Sequence, residues 1–402
     1  MTIDAAIRVA VRDPGLFRAL WEKIGDNMKH KALWACLVVM ALVTAACGGG
    51  DGGDTTTTAA TEETTATTAA PETTTTAAGE AELGSPERPV QVLFVPSVDA
   101  QLLVSGGEVM DAALEEATGL TFEVSIPTSY PATIEEMCAA PADTMGFIPA
   151  FGYVLGNSLC GVDVSMKAVR FGFGVYWAQI LVPRDSEVQA IEDLEGLSWA
   201  VPDLVSTSGY LVPLVMLNDA GVTTGEVVET GGHPNAALAV YRGDAEFGTT
   251  FYSPPLITDG EWAIGDPPEV PDEFIDSCAP NADGDLLCGP NGEYRVLDAR
   301  SSATEEAPDI VQQVRILTIS PEIPNDTLSF GPDFPPELRA QIEEALVAFA
   351  GECEDNEDCD WNQSIGHPDH YAWTGIEPAT DAEYDTVRAL VETAGIDLEN
   401  LE

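Results

Sequence analysis

Basic residues are scarce in this sequence. Lys and Arg together number 16 against 68 Asp and Glu, the formal net charge is −52 at pH 7, and Lys167 is the only lysine after Cys47. Proteins that bind nucleic acid or anionic lipid need clustered Lys and Arg to meet the phosphate groups, so neither is an expected partner. An anion site in this chain must therefore be built locally, from backbone N–H groups and hydroxyls.

Motifs of the common enzyme and metal-binding classes are also missing. The chain has no Gly-x-Ser-x-Gly elbow, Walker A loop or Rossmann glycine pattern, and its cysteines do not have zinc-type spacing. The series Asn281, Asp283 and Asp285 lacks the Glu that completes an EF-hand loop, and His367 and His370 lack a third ligand. We therefore expect no catalytic residues, no metal and no cofactor.

Long apolar runs are missing as well. The main one, residues 32–43, is too short to span a bilayer as a stable helix. Met-Lys-His-Lys precedes it and Thr-Ala-Ala-Cys follows it. A basic start, a short apolar core and a small-residue cleavage site predict a secretory signal peptide at 28–46. Residues 1–27 carry Asp4, Asp13, Glu22 and Asp26 ahead of the basic segment and belong to no export signal, so we expect them to be an over-extended reading frame.

The segment around Cys47 resembles a bacterial lipobox, in which the cysteine receives a lipid and becomes the mature N-terminus. We therefore predict an extracytoplasmic protein anchored to the cell membrane through Cys47; the alternative is an ordinary signal peptide cut after Ala46. Residues 47–85 are mostly Gly, Thr, Ala and Glu. They have too few bulky apolar side chains to offset the entropy of folding, which predicts a disordered tether.

Six cysteines remain once Cys36 is removed with the signal and Cys47 carries the lipid. An even number of cysteines in an exported chain indicates disulfides. The simplest pairing joins nearest neighbours, which predicts the bonds Cys138–Cys160, Cys278–Cys288 and Cys353–Cys359.

Short β-prone runs alternate with helical patterns from residue 86 onward. Strands are predicted at 90–95, 121–126, 144–148, 176–182, 197–201, 227–228, 245–251 and 314–318, and helices at 109–118, 132–139, 210–220, 235–241 and 335–349. Such alternation predicts parallel α/β units. The pattern restarts near residue 184, so we expect two lobes: residues 86–183 plus 320–402, and residues 184–319 with an inserted loop region at 253–308. Two crossings between the lobes would form a hinge with a ligand cleft.

The sequence Ser206-Thr207-Ser208-Gly209 lies between a predicted strand and a predicted helix. This position puts three hydroxyls and several backbone N–H groups at a helix N-terminus, where the helix dipole favours an anion. Gly209 would allow close backbone approach. The alternative is a plain N-cap, which is common for Ser and Thr.

Several segments together resemble the phosphonate, phosphite and phosphate substrate-binding proteins of ABC transporters. They are the run DLEGLSWAVPDLVSTSGYLVPLVMLNDAG beginning at Asp193, Gly232-His233-Pro234-Asn235, and residues 130–139, 148–153, 244–250 and 314–326. The resemblance implies a two-lobed periplasmic-binding-protein fold of type 2, a monomer, and delivery of the ligand to a membrane permease. It also implies that Ser206, Thr207 and Ser208 bind the oxyanion, that Tyr130 and Tyr153 close over it, and that His233 lies nearby.

Two other functions stay open from the sequence. A protein of the same architecture could bind a sulfonate, nitrate or a thiamine precursor. A cell-surface phosphoester hydrolase would use Ser206 or Ser208 as nucleophile, with a base drawn from His233, His367 and His370.

Overall fold

The computed structural model describes residues 81–353, 359–368 and 370–398. The predicted signal peptide, Cys47 and most of the predicted tether lie outside these residues. None of the helices within them is long and apolar enough to cross a membrane. The tether was predicted to reach residue 85, but Leu83 is buried against the core and the N–H of Gly84 donates to the carbonyl of Arg88. The packed chain therefore begins a few residues earlier than predicted.

Within the described residues, the five predicted helices are present, some of them longer than predicted, and four further helices were not predicted. In chain order they are α1 (Ala100–Thr118), α2 (Tyr130–Ala139), α3 (Ala150–Cys160), α4 (Val212–Asp219), α5 (His233–Arg242), α6 (Asp272–Ile275), α7 (Ile310–Gln313), α8 (Pro336–Gly351) and α9 (Asp385–Ala394). Helix α1 begins at Asp99, whose carboxylate caps the N–H of Gln101, and ends at Gly119 with φ 71°. The pattern predicted its end correctly but missed its first nine residues.

The strands form two main sheets and one small sheet. They are β1 (Val90–Phe94), β2 (Phe122–Ser125), β3 (Thr144–Ile148), β4 (Asp163–Val169), β5 (Val175–Pro183), β6 (Trp199–Val201), β7 (Val227–Glu229), β8 (Phe247–Tyr252), β9 (Leu256–Ile257), β10 (Ala279–Pro280), β11 (Leu286–Cys288), β12 (Tyr294–Arg295), β13 (Val314–Ile319), β14 (Ile323–Pro324), β15 (Thr327–Phe330) and β16 (Gly375–Pro378). The predicted two-lobed α/β fold is confirmed, but strands β4, β15 and β16 and helices α3 and α9 were not predicted.

The first sheet, in the order β16-β4-β15-β3-β1-β2, forms lobe 1. Strands β1, β2 and β3 are parallel, and β15, β4 and β16 join antiparallel. The core of this lobe contains large side chains that are almost completely buried, among them Phe94, Phe147, Trp361 and Trp373. Since burial of each such side chain removes ~150–250 Å² from water, this core stabilises lobe 1 strongly.

The second sheet, in the order β13-β5-β8-β6-β7 with β14 also on β5, forms lobe 2. Strand β5 was predicted to end lobe 1, but it pairs antiparallel with β8 and β13 and so belongs to lobe 2. The chain therefore leaves lobe 1 at residues 170–174, not near Pro183. It returns at residues 325–326, not near Ser320. Strand β5 is buried along nearly its whole length, and such a run carries no alternation that could assign it to one sheet.

Residues 253–308 are more ordered than the inserted loop region that was predicted. Strands β9 to β12 form an antiparallel sheet in the order β10-β11-β12-β9. Arg300, 1% exposed, bonds both carboxylate oxygens of Asp298 and also pairs with Glu269, so this buried cation is compensated. The insertion is a packed part of lobe 2.

The cysteines pair as nearest neighbours, as the sequence predicted. The bonds join Cys138 to Cys160, Cys278 to Cys288 and Cys353 to Cys359. The first ties the end of α2 to the end of α3, and the second closes the hairpin region of the insertion. Each bond stabilises the fold chiefly by restricting the unfolded chain.

One buried carboxyl makes stability depend on pH. Burial, and then the charges of Glu115 and Glu108, raise the pKa of Asp111 from 3.8 to about 7. The folded protein therefore keeps this proton where the unfolded chain has lost it. The stabilisation is complete below the unfolded pKa of 3.8 and is lost as the pH rises through about 7.

We expect the free energy of unfolding to fall more steeply between acid and neutral pH in the wild type than in Asp111→Asn, because the amide does not titrate. Chemical denaturation across the pH range measures both slopes. Glu135→Gln, which removes an exposed carboxylate of α2, is the matched control and should keep the wild-type slope. Equal slopes in the wild type and Asp111→Asn would contradict a raised pKa.

Candidate functional site

A cavity of about 60 Å³ lies between the two lobes. Its lining comes largely from the segments after the carboxyl ends of the parallel strands. Ser97 follows β1, Tyr130 follows β2 and Pro149 follows β3 in lobe 1, while Ser206 follows β6 and His233 follows β7 in lobe 2. Ligands of open α/β sheets bind at such ends, because the strand-to-helix loops and helix N-termini meet there.

The turn that follows β6 is wider than an α-helical turn. Residues Thr207–Leu211 form a single π-helical turn, in which the N–H of Leu211 donates to the carbonyl of Ser206 at 3.1 Å. The Ser206 hydroxyl caps it by accepting from the N–H of Gly209 at 3.0 Å. Helix geometry leaves the N–H groups of Thr207 and Ser208 without an intrahelical acceptor. Turns of this kind are rare and frequent at functional sites.

The three hydroxyls of this turn have different surroundings. Ser206 and Ser208, which were predicted to bind an oxyanion, line the cavity. Thr207 is fully buried, and its hydroxyl accepts the N–H of Phe151 from lobe 1 at 2.8 Å. Thr207 is therefore placed to join the lobes rather than to face the cavity. Burial and the charge of Asp326 raise the pKa of the Tyr176 hydroxyl, although hydrogen bonds from Ser208 and Thr207 partly oppose this.

Gly209 is required for packing rather than for the approach of a ligand. A Cβ at this position would lie 2.1 Å from Cγ of Pro202. The Gly209 carbonyl also accepts a hydrogen bond from the hydroxyl of Thr249 on β8. Gly209 was predicted to allow close approach of the backbone to the ligand. In the structure it allows the turn to pack against the sheet.

His233 lies at the start of α5 and is 4% exposed. Its Nδ1 accepts the backbone N–H of Phe251 at 3.1 Å, so the ring proton is on Nε2, which lies 3.5 Å from the Ser206 hydroxyl. Burial, and then the charge of Arg170, lower the pKa of His233 to about 3. The ring is therefore neutral near pH 7 and presents an N–H donor to the cavity.

The two predicted tyrosines are placed differently. Tyr130 lines the cavity, and its backbone N–H donates to Asp203 Oδ2 at 3.0 Å. Tyr153 does not line the cavity: its hydroxyl donates to Asp381 Oδ1 at 2.6 Å, and its ring packs edge-on against Tyr384. The prediction that Tyr153 closes over the ligand is wrong in this structure, because the Tyr153 side chain points to the C-terminal segment. Tyr176 and Tyr371 line the cavity instead.

Sequence reasoning also missed the charged groups of the cavity. Arg170 lines it and lies in the first crossing, where it pairs with Asp326 Oδ2 at 2.6 Å and bonds Asn325 Oδ1 at 2.8 Å. Its guanidinium lies 5.6 Å from the ring centre of Tyr176. The expectation that the site would contain only N–H groups and hydroxyls therefore needs correction. The one signal for Arg170 in the sequence was that few Lys and Arg residues follow Cys47.

Hydrogen bonds connect the lobes around the cavity, so the structure is closed. Asp203 of lobe 2 accepts the backbone N–H of Tyr130, and Thr207 of lobe 2 accepts the backbone N–H of Phe151. In the opposite direction, the N–H of His233 donates to the carbonyl of Ser97 at 3.1 Å. The N–H groups of Tyr130 and Phe151 belong to the first turns of α2 and α3, where helices leave such donors unsatisfied. Closure supplies their acceptors.

This arrangement suits binding better than hydrolysis. A serine nucleophile needs a base that removes its proton. Nε2 of His233 faces Ser206 but already carries a proton, and its low pKa makes the ring a poor base. The hydroxyls of Ser206 and Ser208, the Nε2–H of His233 and the guanidinium of Arg170 instead form a set of donors that an oxyanion can satisfy without covalent chemistry.

Comparisons with known proteins agree with this geometry. The chain is similar to the "Phosphate-import protein PhnD" of Mycolicibacterium smegmatis, with 24% identity over 326 residues that cover 78% of this chain and 87% of the relative. The fold is similar to that of a binding protein component of an ABC phosphonate transporter from Pseudomonas aeruginosa, with a TM-score of 0.56, 17% identity, and coverage of 76% of this chain and 87% of that one.

A second solved structure with this fold is PhnD1 from Prochlorococcus marinus in complex with methylphosphonate. It has a TM-score of 0.54 and 13% identity, and the match covers 76% of this chain and 98% of that one.

A family model spans the lobes described above. It carries the description "ABC transporter, phosphonate, periplasmic substrate-binding protein" and matches residues 92–384, which include both sheets and the cavity. The chain therefore belongs to the family of periplasmic substrate-binding proteins of phosphonate ABC transporters.

Proposed function

We propose that the cavity binds a phosphate, a phosphite or a small phosphonate, and that Ser206, Ser208, Tyr130 and His233 donate to its oxygens. The observation that carries this proposal is the convergence of these donors with the N-terminal N–H groups of the π-helical turn on one enclosed space. Tetrahedral oxyanions present several acceptor oxygens and satisfy donors that approach from both lobes.

The size of the cavity favours a small ligand. A water molecule needs roughly 10–15 Å³ of cavity measured this way, so the cavity of about 60 Å³ holds only a few atoms of that size. This space suits an oxyanion with at most a short substituent. The names of two similar proteins, one a phosphate importer and the other solved with methylphosphonate, support the same class.

The inter-lobe bonds couple ligand capture to closure. Thr207 and Asp203 of lobe 2 accept N–H groups that the open form leaves to solvent. A ligand that binds the closed form alone shifts the equilibrium toward it. The membrane permease would then recognise the closed form and accept the ligand.

Sequence features support a membrane-anchored location. We expect lipid on Cys47 and a tether from Cys47 to the packed chain, which would keep a monomeric protein close to its permease. The acidic chain is repelled by anionic headgroups, so the anchor would supply the attachment.

Binding is tested by calorimetric titration with phosphate and with methylphosphonate. Ser208→Ala should weaken binding by about 10- to 100-fold, because removing the hydroxyl leaves a charged ligand oxygen unpaired. Ser105→Ala, which removes an exposed hydroxyl of α1, should bind as the wild type does. Wild-type affinity with a lowered melting temperature in Ser208→Ala would instead show that Ser208 stabilises the fold and does not bind the ligand.

The role of Thr207 in closure is tested by a pair of variants. Thr207→Val keeps the shape but removes the acceptor for the N–H of Phe151, so affinity should fall by about tenfold or more. Thr207→Ser keeps the acceptor and should retain affinity within a few-fold. Small-angle scattering at saturating phosphate should show a larger open fraction in Thr207→Val. Equal affinity in both variants would exclude this role.

The lipid anchor is tested by fractionation of cells that express the full chain. Cys47→Ser should release the protein from the membrane fraction and abolish labelling by a lipid probe. Cys36→Ser alters the other cysteine of the same segment and should leave both unchanged. A wild-type protein that takes up no lipid label would refute the anchor.

A further inference from the structure

Asp326 differs chemically from the groups that surround it in the cavity. Hydroxyls, the Nε2–H of His233 and the Arg170 guanidinium donate hydrogen bonds, whereas an ionised carboxylate only accepts them. Of the described residues that line the cavity, Asp326 is the only one with a carboxylate. A ligand that fills this small space therefore meets one anionic acceptor among groups that can donate hydrogen bonds.

The two oxygens of Asp326 have different surroundings. Oδ2 accepts from Nη2 of Arg170 at 2.6 Å, and the side chain is 15% exposed. Within the described residues no hydrogen bond reaches Oδ1, this atom is not fully buried, and the residue lines the cavity. The backbone on either side is fixed, since the Asp326 carbonyl accepts the N–H of Ala168 and Asn325 is held by Arg170. Oδ1 is thus a fixed acceptor on a residue that lines the cavity.

We propose that Asp326 accepts a hydrogen bond from a protonated oxygen of the ligand, so that the cavity selects oxyanions that carry a proton. This inference rests on the proposed function and specifies which oxyanions the cavity accepts. Hydrogen phosphate and the monoanions of phosphite and methylphosphonate have an O–H to donate. Sulfate does not near neutral pH, and it would place a bare oxygen against the carboxylate, which is repulsive.

Other groups near Asp326 do not supply this selectivity. Burial raises the pKa values of Tyr130, Tyr176, Tyr371 and Tyr384 far above neutrality, so these hydroxyls keep their protons. Arg170 is paired with Asp326, and burial keeps His233 neutral near pH 7. His370 also lines the cavity, with Nδ1 2.9 Å from the carbonyl of Ser364.

Phosphate and methylphosphonate form a matched pair for the test. Both change from monoanion to dianion on passing their second pKa, but dianionic phosphate keeps one O–H and dianionic methylphosphonate keeps none. Calorimetric titration of the wild type above this pKa should show the affinity for methylphosphonate falling about tenfold further per pH unit than that for phosphate. Sulfate should bind on the order of 10⁴-fold more weakly than phosphate.

Asp326→Asn supplies the second arm of the experiment. An amide can turn either its oxygen or its NH₂ group to the ligand, so the difference between the two slopes should disappear and sulfate should bind measurably. Glu229→Gln removes an exposed carboxylate at the end of β7 and should keep both wild-type slopes. The comparison of slopes cancels any general gain in anion affinity, because the two ligands carry equal charge.

The outcomes separate this inference from the proposed function. Parallel slopes for phosphate and methylphosphonate in the wild type, or sulfate binding as tight as that of phosphate, overturn the role of Asp326 and leave the proposed function intact. If none of the three anions binds at any pH, the proposed function fails, and the inference fails with it.

Discussion

The guanidinium of Arg170 holds the two places where the chain passes between the lobes. It lies in the first crossing and bonds Asn325 and Asp326 of the second, while its Nε donates to the carbonyl of Tyr371. Such charge-assisted bonds are shorter and stronger than neutral ones. The same side chain also lines the cavity, so one charged group contributes to both the hinge and the ligand site.

Local donors explain how a chain with a net charge of −52 can bind an anion. The negative charge of the chain gives no long-range attraction for an anion. The repulsion is limited, however, because salt largely screens fields beyond ~10 Å. Inside the cavity, the helix-terminal N–H groups, the hydroxyls and the neutral His233 add donors with no net charge. Arg170 and Asp326 compensate each other. The proposed site would therefore bind through directed hydrogen bonds, which would favour recognition of the shape and protonation of a ligand over its charge.

Family membership and site geometry support the same kind of activity from independent directions. The family match covers both sheets, and the geometry explains why the serine turn does no chemistry. The N–H of Phe251 fixes the His233 tautomer in which Nε2 is a donor. Closure also satisfies helix N–H groups at both edges of the cavity. These contacts make capture and release depend on the relative position of the lobes.

The sequence by itself determined the local features of this protein. Runs such as 90–95 and 144–148 predicted their strands, Gly119 predicted the end of α1, and Ser206 and Ser208 predicted a donor-rich helix start. Each depends on neighbouring residues, because capping, turn formation and hydrophobic periodicity act over a few positions.

Only the tertiary structure decided which distant groups meet. Arg170 and Asp326 are 156 positions apart, so no local pattern could pair them. The sheet to which β5 belongs depends on its partners β8 and β13, and its buried, mostly apolar run fits either sheet. Tyr153 lies on a helix that the pattern missed, and its hydroxyl is turned toward Asp381 near the C-terminus. Contacts of this kind depend on how the whole chain packs, and packing is not encoded in the spacing of any one segment.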